Sequence, residues 1–403
     1  MAIIHPFKAW RPKEESVEEV ACVPYDVIDT DEARELAEGK SNSFLHVIRP
    51  EIDLPEGTPY NDDQVYKKGR ENLKKLLDSD LFEQEEEESL YVYQLIFEGR
   101  VQTGLFTCVS VDDYDHDVIL KHELTRPAKE DDRTRHVLEQ EAHAEPVMLT
   151  FKDRQDITRL ARDMVDGQDP LFDFTASDGV QHTIWKVEDP KEFVDRFDKI
   201  EHLYVADGHH RCKSASRAAE ELQKNNDQHT GDEEYNFFPA VLFSMDQMHI
   251  MSYNRVVYDV PDDFFEKLRE RVKLTKNADP KPKEKGNISI YYKGSWYGME
   301  LPIAENPTSV EKLDVARLQD HILEPLLDIS DPRRDENIDF VGGIRGTDAL
   351  KEQIDSGEAD LAISMYPTDI RELVEVSDEG RLMPPKSTWF EPKLRSGMLV
   401  HTF

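Results

Sequence analysis

The segment His202–Leu222, HLYVADGHHRCKSASRAAEEL, determines how the middle of this chain is expected to fold. Leu203–Ala206 is a short apolar run typical of a buried strand, and the residues from His209 onward are typical of a helix. Gly208 stands between them, where a strand–helix turn is expected. Backbone N–H groups at the start of such a helix have no partner within the helix, and with the helix dipole they bind anions. The segment therefore predicts an anion site.

The residues at this turn carry the chemistry that an anion site needs. Gly208 lets the backbone approach a ligand, and Arg211 offers a planar fork for phosphate or carboxylate. His209 and His210 can exchange protons near neutral pH, and Asp207 can cap the helix or hold magnesium against a phosphate. We favour this interpretation over a plain helix cap with solvated histidines. Zinc is a weaker alternative, because no HExxH or CxxC motif supplies further ligands.

A second cluster, LKHELTRPAKEDDRTRH, is the most basic neighbourhood of the chain. Glu123 is a carboxylate among cations, which is typical of a general base. We predict substrate or phosphate contacts from His122, Thr125, Lys129 and Arg133. The competing interpretation is a solvated loop held by salt bridges, and the residues alone do not decide between the two.

Other candidate contacts lie towards the end of the chain. PPKSTWFEPKL places lysines and hydroxyls beside prolines, and NRVV places an arginine at the start of a strand. From these stretches we predict phosphate or substrate contacts by Arg255, Lys386, Ser387, Thr388 and Lys393, although ordinary loops have similar composition. PYDV, with Asp26, reads as a rigid turn and is a weaker candidate. The P-loop, the GxSxG motif and the protein-kinase motifs do not occur.

The composition limits the class of protein and its partners. The chain has 403 residues, with 50 Lys and Arg against 85 Asp and Glu, and a formal net charge of −35. Such a field repels nucleic acid and anionic membranes at long range, so we expect neither as a partner. The three cysteines, Cys22, Cys108 and Cys212, are far apart, which favours a reducing compartment and a cytoplasmic location. No apolar run is long enough for a spanning helix.

Alternating strand and helix patterns predict a mixed α/β fold in three regions, 1–120, 121–260 and 261–403. Residues 30–39 are expected to form a helix capped by Thr30 or Asp31, and a second helix is expected after Asn61 or Asp62. Two β-rich runs around Glu98–Arg100 predict a hairpin. Near the end, two strands joined by a helix predict a parallel βαβ unit.

Several motifs in order resemble one prokaryotic family, the domain of unknown function ten-fifteen. They are HPFKAWRP with VPYDVID, HELTRPAKEDDRTR, YVADGHHRCKSA, YNRVV and MPPKSTWFEPKLRSGMLV, and they span nearly the whole chain. The Asp-Gly-His-x-Arg core also resembles the free serine kinase branch of the ParB/sulfiredoxin superfamily. The resemblance implies a ParB/sulfiredoxin-like core with an N-terminal β-rich elaboration and a C-terminal α/β elaboration.

Two other branches of the superfamily fit less well. Sulfiredoxins resemble this motif but have a cysteine where this chain has His209, while Cys212 follows the arginine. ParB-type proteins have a Gly-Glu-Arg-Arg type run, where this chain has His209 and His210, and they bind DNA. Neither sulfinic acid reduction nor DNA partitioning is therefore expected.

The serine kinase resemblance implies an enzyme that interconverts L-serine and O-phosphoserine with Mg²⁺ and ADP or ATP as co-substrate. It matches Asp207, Gly208, His209 and Arg211, whereas Glu123 is chosen for its chemistry. We predict Glu123, Asp207, His209, His210 and Arg211 as catalytic, with Asp207 also the magnesium ligand. The alternatives are a phosphoserine phosphatase and a non-catalytic regulator that binds nucleotide or phosphoserine. The oligomeric state, a homodimer included, is left open.

Overall fold

The computed structural model describes all 403 residues, which divide into two compact units. The first unit comprises Met1–Lys121, Thr125–Met248 and Pro392–Phe403. The second unit comprises His122–Leu124 and His249–Glu391. Both contain helices and a sheet, so the predicted mixed α/β class is confirmed. The ParB/sulfiredoxin-like character of the core stays a prediction.

The first unit contains most of the regular structure. Its strands are β1 (Ile4–His5), β2 (Trp10–Pro12), β3 (Phe82–Gln84), β4 (Leu90–Phe97), β5 (Arg100–Ser110), β6 (Ile119–Leu120), β7 (Ala142–His143), β8 (Val147–Phe151), β9 (Phe172–Thr175), β10 (Gln181–Val187), β11 (Leu203–Asp207), β12 (Phe237–Ser244) and β21 (His401–Thr402). Its helices are α1 (Val17–Val20), α2 (Thr30–Ala37), α3 (Leu45–Ile48), α4 (Asp63–Leu77), α5 (Val111–Asp115), α6 (Pro127–Gln140), α7 (Gln155–Val165), α8 (Lys191–Phe197) and α9 (His209–Asn225).

One mixed sheet organises the first unit. Its strands follow the order β6-β11-β8-β12-β5-β4-β10-β9, and β1 also pairs with β5. The pairs β6–β11 and β8–β12 are parallel, and the remaining pairs are antiparallel. The predicted hairpin is confirmed as β4 and β5, which turn through Glu98 and Gly99. Strands from both predicted regions, 1–120 and 121–260, therefore lie in this sheet, whereas residues 249–260 belong to the second unit.

The core explains why the strand–turn–helix segment folds as it does. Leu203 and Val205 of β11 lie in one apolar cluster with Cys212, Ala215 and Ala219 of α9. The three helical residues recur at three- and four-residue spacing, so they form a single stripe that faces the sheet. Small side chains in that stripe let α9 pack close to β11, which fixes the turn between them.

The second unit has strands and helices of its own. Its strands are β13 (Ile250–Met251), β14 (Tyr253–Val257), β15 (Thr275–Lys276), β16 (Asn287–Tyr292), β17 (Ser295–Glu300), β18 (Ile338–Gly342), β19 (Leu361–Met365) and β20 (Trp389–Phe390). Its helices are α10 (Phe264–Arg271), α11 (Asp314–Leu318), α12 (Glu324–Leu327), α13 (Gly346–Asp355) and α14 (Ile370–Asp378), with a π-helix at Gln319–Leu323.

The sheet order in the second unit is β15-β17-β16-β19-β14-β18. Both β18 and β19 pair antiparallel with β14, so they run in the same direction on either side of it. The predicted βαβ unit is thus present as β18-α13-β19, with β14 inserted between its two strands.

The expected cap of α2 needs correction, and the structure shows the form of the basic stretch. The cap of α2 is Asp29, in a capping box with Glu32, because its side chain reaches the N–H of the third helical residue. The basic stretch is not a loop throughout, since it forms α6 with Pro127 at the first position, where a missing N–H costs nothing. Asp62 caps α4 as predicted. No helix of the structure has the length and apolar character of a membrane span.

Candidate functional site

The turn between β11 and α9 depends on a glycine. Gly208 has φ 101° and ψ 31°, a conformation that L side chains rarely adopt. A Cβ atom at this position would lie 3.0 Å from Cγ1 of Val147 and 3.1 Å from Cζ of Arg211. No side chain caps α9, and its first N–H groups have no acceptor within the helix. The turn thus presents backbone donors beside the Arg211 guanidinium.

Arg211 contacts residues from three separate segments of the chain. Its Nη1 donates to the carbonyl oxygen of Pro146. Its Nη2 lies 3.0 Å from Oδ2 of Asp207 and 3.5 Å from Oδ2 of Asp26. Burial alone would lower the pKa of Arg211, but the two aspartates raise it well above its ordinary value. The residue is therefore a fixed positive charge that positions two carboxylates.

Asp207 is held between cations. Its Oδ1 lies 3.5 Å from Nζ of Lys393, while its Oδ2 faces Arg211. Burial acts to raise the pKa of Asp207, but Lys393, Arg211 and His209 outweigh it and lower the pKa to about 2. Because both oxygens face cations, Asp207 does not fit the magnesium ligand that the sequence suggested. Its geometry suits a residue that orients Arg211 and Lys393.

The two adjacent histidines differ in their surroundings. His210 accepts a hydrogen bond at Nε2 from the backbone N–H of Arg126, at 3.1 Å. Burial lowers the pKa of His210 to about 4, and Arg126 and Lys129 contribute in the same direction. At neutral pH the ring is therefore uncharged, and its proton lies on Nδ1. His209 is buried, and its charge helps to lower the pKa of Asp207.

Helix α6 brings further positive charge to the same end of α9. Burial lowers the pKa of Lys129, and the nearby Arg133, Arg49 and Arg126 lower it further against the effect of Asp132. Such crowding of like charges is relieved when an anion binds among them. Lys129 also lies with its Nζ 5.1 Å from the centre of the Tyr60 ring. The second sequence cluster is thus a charged helix face.

Arg133 is more firmly held than Lys129. Its Nε and Nη2 lie 2.9 and 2.8 Å from Oδ2 of Asp132, and its Nη1 donates to the carbonyl of Ile48. Its guanidinium lies 4.2 Å from the centre of the Tyr25 ring. Thr125, just before the helix, donates to Oε1 of Glu130. These contacts hold Arg133 in place, whereas burial and neighbouring cations lower the pKa of Lys129.

Two acidic residues that the sequence did not single out as catalytic belong to this site. Asp26 lies in the PYDV turn, and 34% of its side chain is exposed. Glu145 accepts hydrogen bonds from the N–H of Tyr25 and from Oγ of Ser396. Burial raises the pKa of Glu145, although Arg211 and Arg133 act in the opposite direction. Asp26 is thus the carboxylate at the solvent side, and Glu145 is the buried one.

A small cavity behind these residues has a volume of about 40 Å³. Arg133, His136, Glu145 and Arg211 are among the residues that line it. A cavity of this size holds a few water molecules and no nucleotide. This cavity is therefore too small for a larger ligand, and Asp26 and Lys129 are accessible on the solvent side.

The remaining predicted residues belong to the second unit. His122 and Glu123 lie in its short segment His122–Leu124, and the His122 carbonyl accepts from the N–H of Met383. Arg255 is buried in β14, and burial lowers its pKa to about 10. Its Nη2 donates to the carbonyl of Lys386 at 3.1 Å. The predicted contacts Ser387 and Thr388 follow directly, and Ser387 donates to the carbonyl of Pro384.

The structure therefore groups the predicted residues in two sets. The first unit brings together Asp207, Gly208, His209, His210, Arg211, Lys129, Arg133 and Lys393, with Thr125 at the start of α6. The second unit holds His122, Glu123, Arg255, Lys386, Ser387 and Thr388. The catalytic and binding roles assigned to them from the sequence stay predictions.

Comparison with known proteins gives weak structural similarities. A conserved hypothetical protein from Pyrococcus furiosus has 13% identity and a TM-score of 0.35, with 74% of this chain and 97% of that chain covered. SbnI with a C-terminal truncation from Staphylococcus aureus has 13% identity and a TM-score of 0.40, with 72% and 85% covered. Free serine kinase in complex with AMP has 13% identity and a TM-score of 0.37, with 74% and 93% covered.

The sequence itself gives the family. No curated protein matches the chain. Residues 4–316 match the family described as protein of unknown function DUF1015. This match covers most of the chain and includes the strand–turn–helix segment and the PYDV turn. The chain therefore belongs to the DUF1015 family.

Proposed function

We propose that this protein is a phosphoryl-transfer enzyme that interconverts L-serine and O-phosphoserine with ADP or ATP as co-substrate. The observation that carries the proposal is the cluster of cations around the start of α9, which combines Arg211, Lys393 and Lys129 with the exposed carboxylate of Asp26. Phosphoryl transfer needs cations that stabilise the moving phosphoryl group and a carboxylate that accepts a hydroxyl proton. The serine substrate class follows from the Asp-Gly-His-x-Arg resemblance.

In this proposal the phosphates bind at the helix start. The first N–H groups of α9 and the ammonium group of Lys129 supply donors and positive charge. A bound anion should stabilise the charged form of Lys129 most, because the anion offsets the repulsion from the neighbouring arginines. Arg211 and Lys393 are held in place by Asp207 and contribute positive charge. The neutral His210 offers its Nδ1–H as a hydrogen-bond donor.

Asp26 is our first candidate for the general base. It lies 3.5 Å from Arg211, which orients it, and its exposed side chain can reach a substrate hydroxyl. It would take the proton of the serine hydroxyl as the serine oxygen bonds to phosphorus and the bond from phosphorus to the nucleotide oxygen breaks. Glu123, chosen from the sequence, is the second candidate. No step is assigned to magnesium, since Asp207 does not fit as its ligand.

Phosphorus NMR tests the proposal directly. Purified protein with magnesium is incubated with serine plus ADP, serine plus ATP, phosphoserine plus AMP, and phosphoserine alone. We expect a new phosphoserine signal with one of the two nucleotides. If that nucleotide is ADP, phosphoserine plus AMP should also give a new ADP signal, because this is the reverse reaction. Phosphate released from phosphoserine alone would indicate a phosphatase. Line broadening without turnover would indicate a binding protein, and unchanged spectra in every tube would overturn the assignment.

A matched pair of lysine variants distinguishes the loss of a phosphate contact at the site from a general loss of positive charge. Lys129→Gln removes the crowded cation of α6, and we expect roughly tenfold to 100-fold slower transfer. Lys224→Gln removes a cation from the far end of α9, where Lys224 pairs with Glu220 in solvent. It should leave the rate unchanged. Equal rates in the two variants would contradict phosphate binding at Lys129.

A further inference from the structure

The first unit contains a second and larger cavity that the proposed function does not use. Its volume is about 440 Å³, within the range of sites for small molecules. Arg395 and Cys22 line it, and the end of β9 around Phe174 forms one wall. Glu15, Glu18 and Glu19 contribute exposed carboxylates.

Arg395 is a built-in cation of this cavity. The residue is 5% exposed, and its Nε donates to Nε2 of His182 at 3.3 Å. Its Nη2 pairs with Asp178. Burial lowers the pKa of His182 well below its ordinary value, so the ring is neutral and its Nδ1–H donates to Tyr93. These contacts occupy Nε and Nη2, which leaves Nη1 for a molecule in the cavity.

The surroundings of Arg395 define the chemistry of that molecule. A guanidinium recognises carboxylate or phosphate groups. Lys40 also lines the cavity, so the three glutamates leave an excess of negative charge there, which repels a doubly charged phosphate and attracts an ammonium group. Val23, Leu45 and Phe174 also line the cavity and supply apolar surface. We propose that this cavity binds a free α-amino acid with an apolar side chain, its carboxylate on Arg395 and its ammonium group towards the glutamates.

The cavity wall also contributes to the candidate functional site. Cys22 and Ser396 exchange backbone hydrogen bonds of 3.2 and 2.9 Å. Ser396 then donates through Oγ to Glu145, as does the N–H of Tyr25 three residues after Cys22. A bound amino acid therefore contacts the segment that holds Glu145. The binding proposal itself does not depend on the phosphoryl-transfer activity.

Isothermal titration of the full chain tests the ligand class. The probes are L-leucine and L-phenylalanine, with L-leucinamide, 4-methylvalerate and inorganic phosphate as comparison ligands. We expect one amino acid to bind per chain, with leucinamide and 4-methylvalerate at least roughly tenfold weaker, because each lacks one charged group. Binding of phosphate without the amino acids, or equal binding of leucine and leucinamide, would overturn the assignment. So would the absence of heat with both amino acids.

Charge variants locate the site. Glu18→Lys reverses an exposed charge of the cavity and should weaken leucine binding roughly tenfold. Glu14→Lys is the control, since Glu14 is exposed nearby but does not line the cavity. Arg395→Gln should abolish binding, with its folding checked by circular dichroism. If Glu18→Lys and Glu14→Lys bind leucine equally well, the ligand does not bind in this cavity and the proposal is wrong.

Discussion

Lys393 and Asp207 are 186 positions apart in the sequence, yet Nζ of the lysine lies 3.5 Å from Oδ1 of the aspartate. The contact joins the segment Pro392–Phe403 to the turn that precedes α9. Because Asp207 also holds Arg211, the late segment helps to determine the charge distribution at the helix start.

Removing the lysine should therefore change the titration of its partner. In Lys393→Met we expect the pKa of Asp207 to rise from about 2 towards its ordinary value, because a cation next to a carboxylate favours the charged form. Carboxyl carbon NMR titration of labelled protein measures this. Lys199→Met, at an exposed position, is the control and should have no effect. An unchanged Asp207 titration in Lys393→Met would show that the ion pair does not form in solution.

Substitution of two glycines with nearly equal φ values can distinguish the cost of backbone strain from the cost of steric crowding. Gly208 has φ 101° and close neighbours, whereas Gly231 has φ 100° and nothing within 4 Å of the position that a Cβ atom would take. We expect Gly231→Ala to lower the free energy of unfolding by about 1 kcal/mol, from strain alone. Gly208→Ala should lower it by about 3 kcal/mol, since crowding against Val147 and Arg211 adds to the strain. Urea unfolding of both variants measures the difference, and equal losses would contradict close packing at Gly208.

His210 should make the protein less stable in acid. The folded state lowers its pKa from 6.5 to about 4, so between these values the unfolded chain binds a proton that the folded chain does not. Its contribution to stability is therefore present near pH 7 and is lost as the pH falls from about 6.5 to 4. We expect about 3 kcal/mol of the acid sensitivity to come from this group.

His210→Asn removes that titration while keeping an acceptor for the N–H of Arg126. Urea unfolding at pH 7 and pH 4.5 should show a shallower loss of stability in this variant than in the wild type. His116→Asn is the control, because His116 is exposed and its pKa is raised by Asp112. If His210→Asn loses as much stability as the wild type on acidification, His210 is not held neutral in the folded state.

The two candidate bases can be distinguished by amide substitutions. If Asp26 accepts the hydroxyl proton, Asp26→Asn should slow phosphoryl transfer by roughly 100-fold or more, while nucleotide affinity changes little. Glu123→Gln should then retain most of the activity. Asp31→Asn, at an exposed position on α2, controls for loss of surface charge. The opposite result, with Glu123→Gln inactive and Asp26→Asn active, would assign the base to Glu123, and full activity in both would exclude both.

The sequence predicts the local part of the site well. The apolar run, Gly208 and the helical stripe lie within about twenty residues, so strand, turn and helix follow from short-range periodicity and backbone sterics. The structure confirms β11, α9 and the turn between them, and it shows that Gly208 has a positive φ. The hairpin β4–β5 is equally local, and its prediction succeeds for the same reason.

Contacts between residues that are far apart in the sequence are harder to predict from it. Asp26 and Glu145 reach Arg211 only because the sheet and α6 bring distant segments together, and no periodic pattern encodes such a meeting. A signal is nevertheless present, because PYDV places a carboxylate on a rigid turn. The magnesium role of Asp207 fails to fit for a similar reason. The sequence shows an aspartate beside a glycine but not the lysine that occupies its second oxygen.

The division of the first unit has a consequence for biosynthesis. Its chain leaves the unit after Met248 and returns at Pro392, with the whole of His249–Glu391 in between. On the ribosome, a nascent chain therefore completes the sequence of the second unit before Lys393 and Arg395 are made. Folding from the N-terminus as each domain emerges, which is usual for multidomain chains, cannot finish this unit. The lysine beside Asp207 and the arginine of the larger cavity are both made only after the second unit, so a chain that has grown no further than Glu391 has neither site in its final form.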